Sequence, residues 1–302
     1  MEYQIITDGS CDLPSTLVKE KKLIVVPFYV SFDNQTYKKE IVELDIRTFY
    51  NEMVSNPKVF PKSSMPSSQD YVDVFEPLIK NGIPIICICI TTKFSGSMHS
   101  ALTAKDMLLE EYPEAKITII DATVNTVLQG IYVLEAVRMQ EAGYAYDQVV
   151  NRLEQIKITG RIFFTVGDME YLKHGGRIGK LAELAGSILG IKPLITLKEG
   201  EIFPSGITRN RKKSMEKIID LLLDYLKVTR KDIHAYSLAI GFGYDEKESE
   251  EFRVMAINKL NQKLDLQIPL TQEDLPLYQI GATISVHTGP YALGIGIVEK
   301  AF

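Results

Sequence analysis

The sequence has 302 residues, 45% of them hydrophobic and 24% charged, with a formal net charge of −5. That is the balance of a globular protein long enough for two domains with substantial cores, and it lacks the basic excess that a nucleic-acid-binding face requires. No apolar run approaches the roughly 20 residues of a membrane-spanning helix, and the opening MEYQIITDGS lacks the basic and apolar regions of a secretory signal, so a cytoplasmic protein without a membrane span is expected.

Along the first half, YQIIT, LIVVPFYV at 23–30, IPIICICI at 83–90 and ITIID at 117–121 predict strands, being apolar and rich in β-branched residues. Helical spacing falls near 43–55, 68–80, 97–111 and 124–141. In the last of these, Val124, Val127, Leu128, Ile131, Leu134 and Val137 keep an i, i+3/i+4 rhythm that Gly143 stops. Strands alternating with helices imply βαβ units and a mostly parallel sheet covered on both faces. The pattern loosens after Gly160. RIFFTV, YSLAIGF, QIGATISVH and ALGIGIV predict further strands, with helices near 178–189, 211–226 and 248–264. The expected fold class is therefore α/β in two domains. Residues 1–160 form an N-terminal α/β domain with a mostly parallel sheet and flanking helices, and 161–302 a C-terminal α+β domain.

Three cysteines, Cys11, Cys87 and Cys89, are too few for a disulfide framework, and reduced thiols fit the expected compartment. Cys87 and Cys89 alternate in a strand and so share a face. His99, His174, His234 and His287 show no ligand spacing with them, which makes packing the role of these cysteines and leaves no metal site.

In a parallel α/β sheet, ligands bind beyond the carboxyl ends of the strands. Three polar loops follow strands: TDGSCDLP with Thr7, Asp8, Ser10 and Asp12, TTKFSGS at 91–97, and DATVNT at 121–126. In Ser95-Gly96-Ser97, a glycine permits close backbone approach and a helix start offers free amides and partial positive charge, which together make a seat for a carboxylate or phosphate. For a lone serine there, the helix-cap reading takes precedence. KSSMPSSQDY presents a second hydroxyl cluster, with Ser63 and Ser64 held extended before Pro66 and Ser67 or Ser68 capping a helix. YLKHGGRIGK fails the phosphate-loop pattern at His174 and Leu181, yet Arg177 can act as a positioned cation. TRNRKK gathers Arg209, Arg211, Lys212 and Lys213, either a solvated face or a docking patch. His287 ends an apolar run before Gly289-Pro290 turn the chain. No nucleophile elbow, zinc helix or dinucleotide fingerprint occurs, and Ser95 has no evident base, because His99 falls one helical turn on. The set suits holding an anion more than transforming one.

Taken in order, ITDGSCDLP, KSSMPSS, TTKFSGSMHSA, YLKHGGRIGK, IKPLITLKEGEI, TRNRKK and HTGPYALGI resemble, over essentially the whole chain, the DegV family of fatty-acid-binding proteins. The resemblance implies a two-domain α/β protein, non-catalytic by itself, with a long-chain fatty acid between the domains and no other cofactor. It implies that Ser63, Ser95 and His287 hold the carboxylate, with Ser64, Thr92, Gly96 and Tyr291 as secondary headgroup or pocket positions. It further implies a partner, a separate fatty acid kinase that converts the acyl carboxyl to an acyl phosphate, with Arg177, Arg209 and Arg211 serving phosphotransfer or docking. Tail-lining candidates lie in LAELAGSILGIKPL. This chain departs from the family pattern at Met65, where glutamine is usual, at Thr91-Thr92, where two serines are usual, and at Tyr291, where a glycine is common. A ring at 291 beside His287 is expected to narrow the pocket or add a phenol to it. The rival reading is an enzyme acting on a small carboxylated or phosphorylated metabolite at the same anion seat, with Asp8 or His99 as base. A third is a regulatory interaction protein built on the 209–213 cluster.

Overall fold

The structure is a computed structural model that describes residues 3–182 and 190–302. Its first half contributes strands β1 (Gln4–Asp8), β2 (Ile24–Val26), β3 (Tyr29–Ser31), β4 (Lys38–Lys39), β5 (Lys62–Ser64), β6 (Ile85–Cys89) and β7 (Ile117–Asp121). The helices of this half are α1 (Ser15–Glu20), α2 (Ile46–Ser55), α3 (Ser68–Lys80), α4 (Ser97–Glu111), α5 (Thr126–Glu141) and α6 (Tyr146–Ile156). A wholly parallel sheet runs β2-β1-β6-β7. Its strands are apolar on both faces because helices cover both. On the outer face α3 and α4 bury Tyr71, Phe75 and Leu108 against Ile6, Ile85 and Cys87. The Cys87 and Cys89 sulfurs lie 3.8 Å apart in that layer as packed thiols.

The run LIVVPFYV, expected as one strand, is two. Pro27 has no amide hydrogen to give to a ladder. The chain leaves the parallel sheet after Val26 and pairs again as β3 in a small antiparallel sheet, β4-β3-β5, where Ser63 stands opposite Val30.

The second half supplies β8 (Arg161–Thr165), β9 (Lys192–Lys198), β10 (Glu201–Thr208), β11 (Tyr236–Phe242), β12 (Leu277–Gln279) and β13 (Leu293–Glu299), with α7 (Glu170–His174), α8 (Arg211–Thr229), α9 (Glu246–Leu264) and α10 (Ala282–Thr288). These strands form a sheet ordered β10-β9-β8-β13-β11-β12, antiparallel except between β11 and β12. Helices α8 and α9 cover its outer face, burying Ile218, Leu222 and Phe252 against Phe163, Leu238 and Ile295. The mixed class expected from the sequence is the one found.

Two segments differ from the sequence reading. The β9–β10 hairpin was not anticipated, because Pro193 and Pro204-Ser205-Gly206 look like strand breakers. Pro204 is tolerated at a register shift on the edge strand. The two-residue turn, Glu199-Gly200, has φ of 51° and 84°, the mirror-image geometry that matches strand twist. QIGATISVH, expected as a strand, is instead the short strand β12 followed by helix α10. Its β-branched residues favour a strand, but tertiary contacts override them: Glu40 Oε2 accepts the Thr283 amide at 2.9 Å, and Val286 packs with Val30, Phe49 and Tyr171. The helix expected near 178–189 begins with a short 3-10 turn, Gly179–Leu181, and its part from 183 to 189 lies outside the described residues.

Helix α5 lies between the two sheets and joins them into one core. Ile131 and Val127 pack with Ile5, Ile86 and Ile88 from the parallel sheet and with Ala239 and Val298 from the other. It is therefore buried nearly all round rather than on one stripe. Close approach fixes one residue, Gly130, where a side chain would collide with the Cys11 carbonyl and Leu13. Glu135, 1% exposed, accepts from Ser237 Oγ at 2.6 Å, from the Ala301 amide at 2.7 Å and from Arg138 Nη1 at 2.9 and 3.0 Å. Its carboxylate thus binds α5 to β11 and to the chain's last residues. Glu135→Ala strands these donors and is expected to cost about 2–3 kcal/mol in urea unfolding, with Glu135→Gln losing less. A loss below about 0.5 kcal/mol would show that the contact does not secure the helix.

Candidate functional site

One largely apolar cavity of about 1040 Å³, its mouth included, opens where the carboxyl edge of the parallel sheet meets the six-stranded sheet and α10. The apolar wall comes from both sides. Phe28, Ile90 and Val127 belong to the first half, Ile162, Phe164 and Leu197 to inward-facing positions of the second sheet, and Ala292 to the turn that enters β13. Alternation along β8 and β9 could mark Ile162, Phe164 and Leu197 as inward but not as lining a cavity, and none of the three was singled out from the sequence. The stretch LAELAGSILGIKPL was proposed for this wall. Its residues 183–189 lie outside the described residues, and Leu181 is packed in the main core rather than on the cavity.

Polar groups gather at one end. Ser63, on the half-buried position of β5, and His287, next to the end of α10, meet there with Ser63 Oγ 3.0 Å from His287 Nε2. Ser95 and Gly96 reach the same cavity from the loop before α4, and the Ser95 hydroxyl accepts the Ser97 amide at 3.2 Å. The Met65 side chain covers Gly96 so closely that a β-carbon at 96 would collide with its sulfur. Methionine at 65 thus forms a lip over the Ser95 loop.

Arg177 closes this end. Its Nε and Nη2 both donate to the Phe94 carbonyl, at 3.1 and 3.0 Å, and Nη1 donates to the Gly175 carbonyl at 2.8 Å. The guanidinium fork therefore joins the loop of Ser95 to the turn after α7. That turn presses on His287, since a side chain at Gly175 would collide with the imidazole Nδ1. Nδ1 itself has no hydrogen-bond partner of good geometry among the described residues. Burial, then the positive charges of Arg177 and Lys62, push the imidazole down to a pKa of about 4, against a smaller opposing effect from the Gly175 backbone. His287 is accordingly neutral at pH 7 and offers one N–H, whose position on the ring the surroundings select.

The other candidate positions are distributed differently. Ser64 is exposed on the opposite side of β5 and does not reach the cavity. Thr92 is also exposed, and its hydroxyl donates to Asp121 at 2.6 Å. Tyr291 is corrected by the structure. Its ring, 41% exposed, stands against Gly167 and Tyr244 and lines a separate smaller cleft, so it neither narrows the cavity nor adds a phenol to it. Arg211 is a structural cation, because its fork is closed on Glu248 at 2.8 and 2.7 Å and its Nη2 also holds the Tyr291 carbonyl at 2.8 Å. Arg209 is exposed outside the cavity. Asp8 and His99, the candidate bases of the rival reading, do not line the cavity either. Asp8 is buried among donors, and His99 faces outward on α4.

The three post-strand loops do converge. The loops after β6 and β7 line the cavity, whereas the loop after β1 lies behind it, with Asp12 accepting from Thr126 Oγ1 at 2.6 Å. Among the described residues no group of three His, Cys, Asp or Glu could hold a metal, and no helix is long and apolar enough to cross a membrane.

Comparison with known proteins places this architecture. The family model described as an uncharacterised protein of the DegV family matches residues 2–300. A DegV domain-containing protein of Clostridium perfringens is 30% identical over 303 residues, covering 100% of both chains. Among solved structures, a stearic acid-binding protein from Eubacterium ventriosum is 40% identical with a TM-score of 0.91, covering 99% of each chain. A fatty-acid-binding DegV family protein from Thermus thermophilus is 27% identical with a TM-score of 0.85, covering 99% of this chain and 100% of that one. The chain described here belongs to the DegV family.

Proposed function

We propose that this protein is a cytoplasmic, non-catalytic carrier of a long-chain fatty acid. In this reading Ser63, Ser95 and His287 receive the carboxylate, and the tail lies between a domain of residues 1–160 and one of 161–302. The carboxyl end is presented at the mouth to a separate fatty acid kinase for conversion to an acyl phosphate. One observation carries the reading: an apolar cavity whose headgroup candidates, two serine hydroxyls, an imidazole and a guanidinium, lie together at one end. The fatty acids named for the Eubacterium ventriosum and Thermus thermophilus proteins give the ligand class.

The physical chemistry supports that assignment. A buried carboxylate is costly unless donors replace its water, and two hydroxyls with an imidazole N–H can do so. A tail of about sixteen methylenes contributes about 0.8 kcal/mol each before ordering costs, so the chain supplies affinity and the headgroup supplies direction. Arg177 sits where a carboxyl leaving the seat would meet it. With its donors now on backbone carbonyls, it must release Phe94 to engage a transferred phosphate. Arg209 is the remaining exposed arginine for docking a kinase, since Arg211 is committed to Glu248.

Denaturing the purified protein, extracting it with organic solvent and analysing the extract by mass spectrometry tests the ligand class. A stoichiometric long-chain acid is expected, either as purified or after incubation with added acid. A protein that neither holds nor takes up any long-chain acid would return the case to the metabolite enzyme.

Replacing two of the three headgroup groups, Ser95→Ala with His287→Ala, should weaken acid retention by about 100-fold or more. The far-UV circular dichroism spectrum should be unchanged. Undiminished occupancy in this double variant would remove the headgroup assignment. A pH dependence follows as well. The folded His287 pKa lies below the ordinary histidine value of 6.5, at about 4, so the unfolded chain binds more protons between those limits. The stability His287 contributes is full above pH 6.5 and is lost as pH falls toward 4, up to about 3 kcal/mol. Buried Glu40, its carboxyl raised to about 7, acts in the opposite sense over this window, so delipidated wild-type protein should lose thermal stability relative to His287→Gln as pH falls, and a bound carboxylate, by favouring the imidazolium, should shrink that difference. An equal slope in His287→Gln would contradict this origin.

A further inference from the structure

We propose that the cavity carries a second polar subsite, formed by Asn125, Thr126 and Thr283, that selects long-chain acids bearing a hydroxyl group on the acyl chain. This inference rests on the carrier reading and specifies its ligand further. All three residues line the cavity, apart from the headgroup cluster of Ser63, Ser95 and His287.

An aliphatic tail needs only apolar walls, and these residues are not apolar. Thr283 is 3% exposed, and its Oγ1 has no hydrogen-bond partner among the described residues. Its backbone amide goes to Glu40, and its hydroxyl lies near that carboxylate outside good hydrogen-bonding geometry. A buried hydroxyl in this condition is destabilising unless something supplies a partner. Thr126 is a β-branched residue held at φ 48°, a strained conformation that turns the start of α5 into the cavity wall. Its hydroxyl donates to Asp12, which leaves its oxygen as an acceptor. Asn125 stands at the N-cap of α5 without capping it, so its amide, with two donors and an acceptor, is not spent on the helix.

This set is matched by a group that both donates and accepts. A hydroxyl on the acyl chain can accept from Thr283 or Asn125 and donate to Thr126. A second carboxylate is disfavoured, because among the described lining residues the cation is Arg177 at the other end, and the groups behind the two threonines are themselves acids, Asp12 and Glu40. Position on the helix sets the distance. Thr283 and His287 are four residues apart on one face of α10. The subsite is thus about one helical turn from the carboxylate seat, a span that roughly four or five chain carbons cover. The favoured hydroxyl is on the carboxyl-proximal part of the chain.

The test is displacement of a fluorescent fatty acid from the delipidated full-length protein by stearic acid and by a positional series of monohydroxystearic acids. At least one carboxyl-proximal isomer should bind about fivefold or more tighter than stearic acid. Thr283→Val removes the unpaired hydroxyl at constant shape, so it should tighten stearic acid, weaken that isomer and reverse their order. Asn125→Ala, on a different element, should shift the ratio in the same direction and keeps the test open if the valine variant does not fold. If stearic acid itself fails to bind, the carrier reading falls and this inference with it. If stearic acid binds but no hydroxy isomer exceeds it, or the preference survives both substitutions, the subsite alone is overturned.

Discussion

The carboxylate of Asp8 ends β1 without access to water, and the donors it gathers set the geometry of the cavity's first wall. Gln129 Nε2 donates at 2.8 Å from α5, the Ile90 amide at 2.9 Å from the end of β6, and Ser97 Oγ at 2.8 Å from the first turn of α4. The Ser10 hydroxyl is shared between Asp8 and Gln129, at 3.0 and 2.5 Å. Burial raises the carboxyl's proton affinity above the usual range and these donors oppose it. Each donor lies on a different segment, so one side chain holds β1, β6, α4 and α5 in register. Ser95 and Gly96 lie immediately before Ser97, which also receives the Tyr71 hydroxyl's company at 2.7 Å. The Ser95 loop is in effect suspended from Asp8, which gives this acid a structural role beside the cavity.

A matching construction holds the opposite wall. Asp12 and Glu40 stand behind Thr126 and Thr283, at the starts of α5 and α10. Glu40 is buried and Asp12 half-buried, and desolvation chiefly raises the proton affinity of both, Glu40 to about 7 and Asp12 well above its usual range. At its far end α10 delivers His287 to Ser63. Arg177 then closes the arrangement by gripping backbone carbonyls of both the Ser95 loop and the turn beside His287. The Ser95 loop, the turn after α7 and α10 are therefore one mechanically connected unit, joined through Arg177.

Much of this was legible in the sequence, for identifiable reasons. The parallel strands carry uninterrupted apolar runs, and α3 and α4 occupy the ranges that their periodicity gives, because local pattern and tertiary burial agree there. The hydroxyl-rich loop before α4 was conspicuous for its chemistry, and it does line the cavity. What escaped notice depends on partners distant in the chain. Gln129, which the sequence reading passed over, is a buried polar residue in an apolar helix whose meaning is Asp8, 121 residues away. Arg211 looked like part of a basic patch, and its meaning is Glu248. Thr283, Ile284 and Val286 favour a strand locally, and only the acid at Glu40 and the packing around Val286 make them a helix. Tyr291 follows His287 closely in sequence, yet Gly289, at φ 75°, and Pro290 turn the chain so that its ring faces another cleft.

The central claim is that a fatty acid carboxylate sits on His287 and the two serines. The most direct measurement is solid-state rotational-echo double-resonance NMR on protein labelled with 15N-histidine and loaded with 1-13C-stearic acid. The account predicts dephasing of the carboxyl signal by a single imidazole nitrogen at hydrogen-bonded range, absent in His287→Gln protein. A bound acid whose carboxyl carbon shows no coupling to that ring would contradict it, and would place the headgroup elsewhere in the cavity.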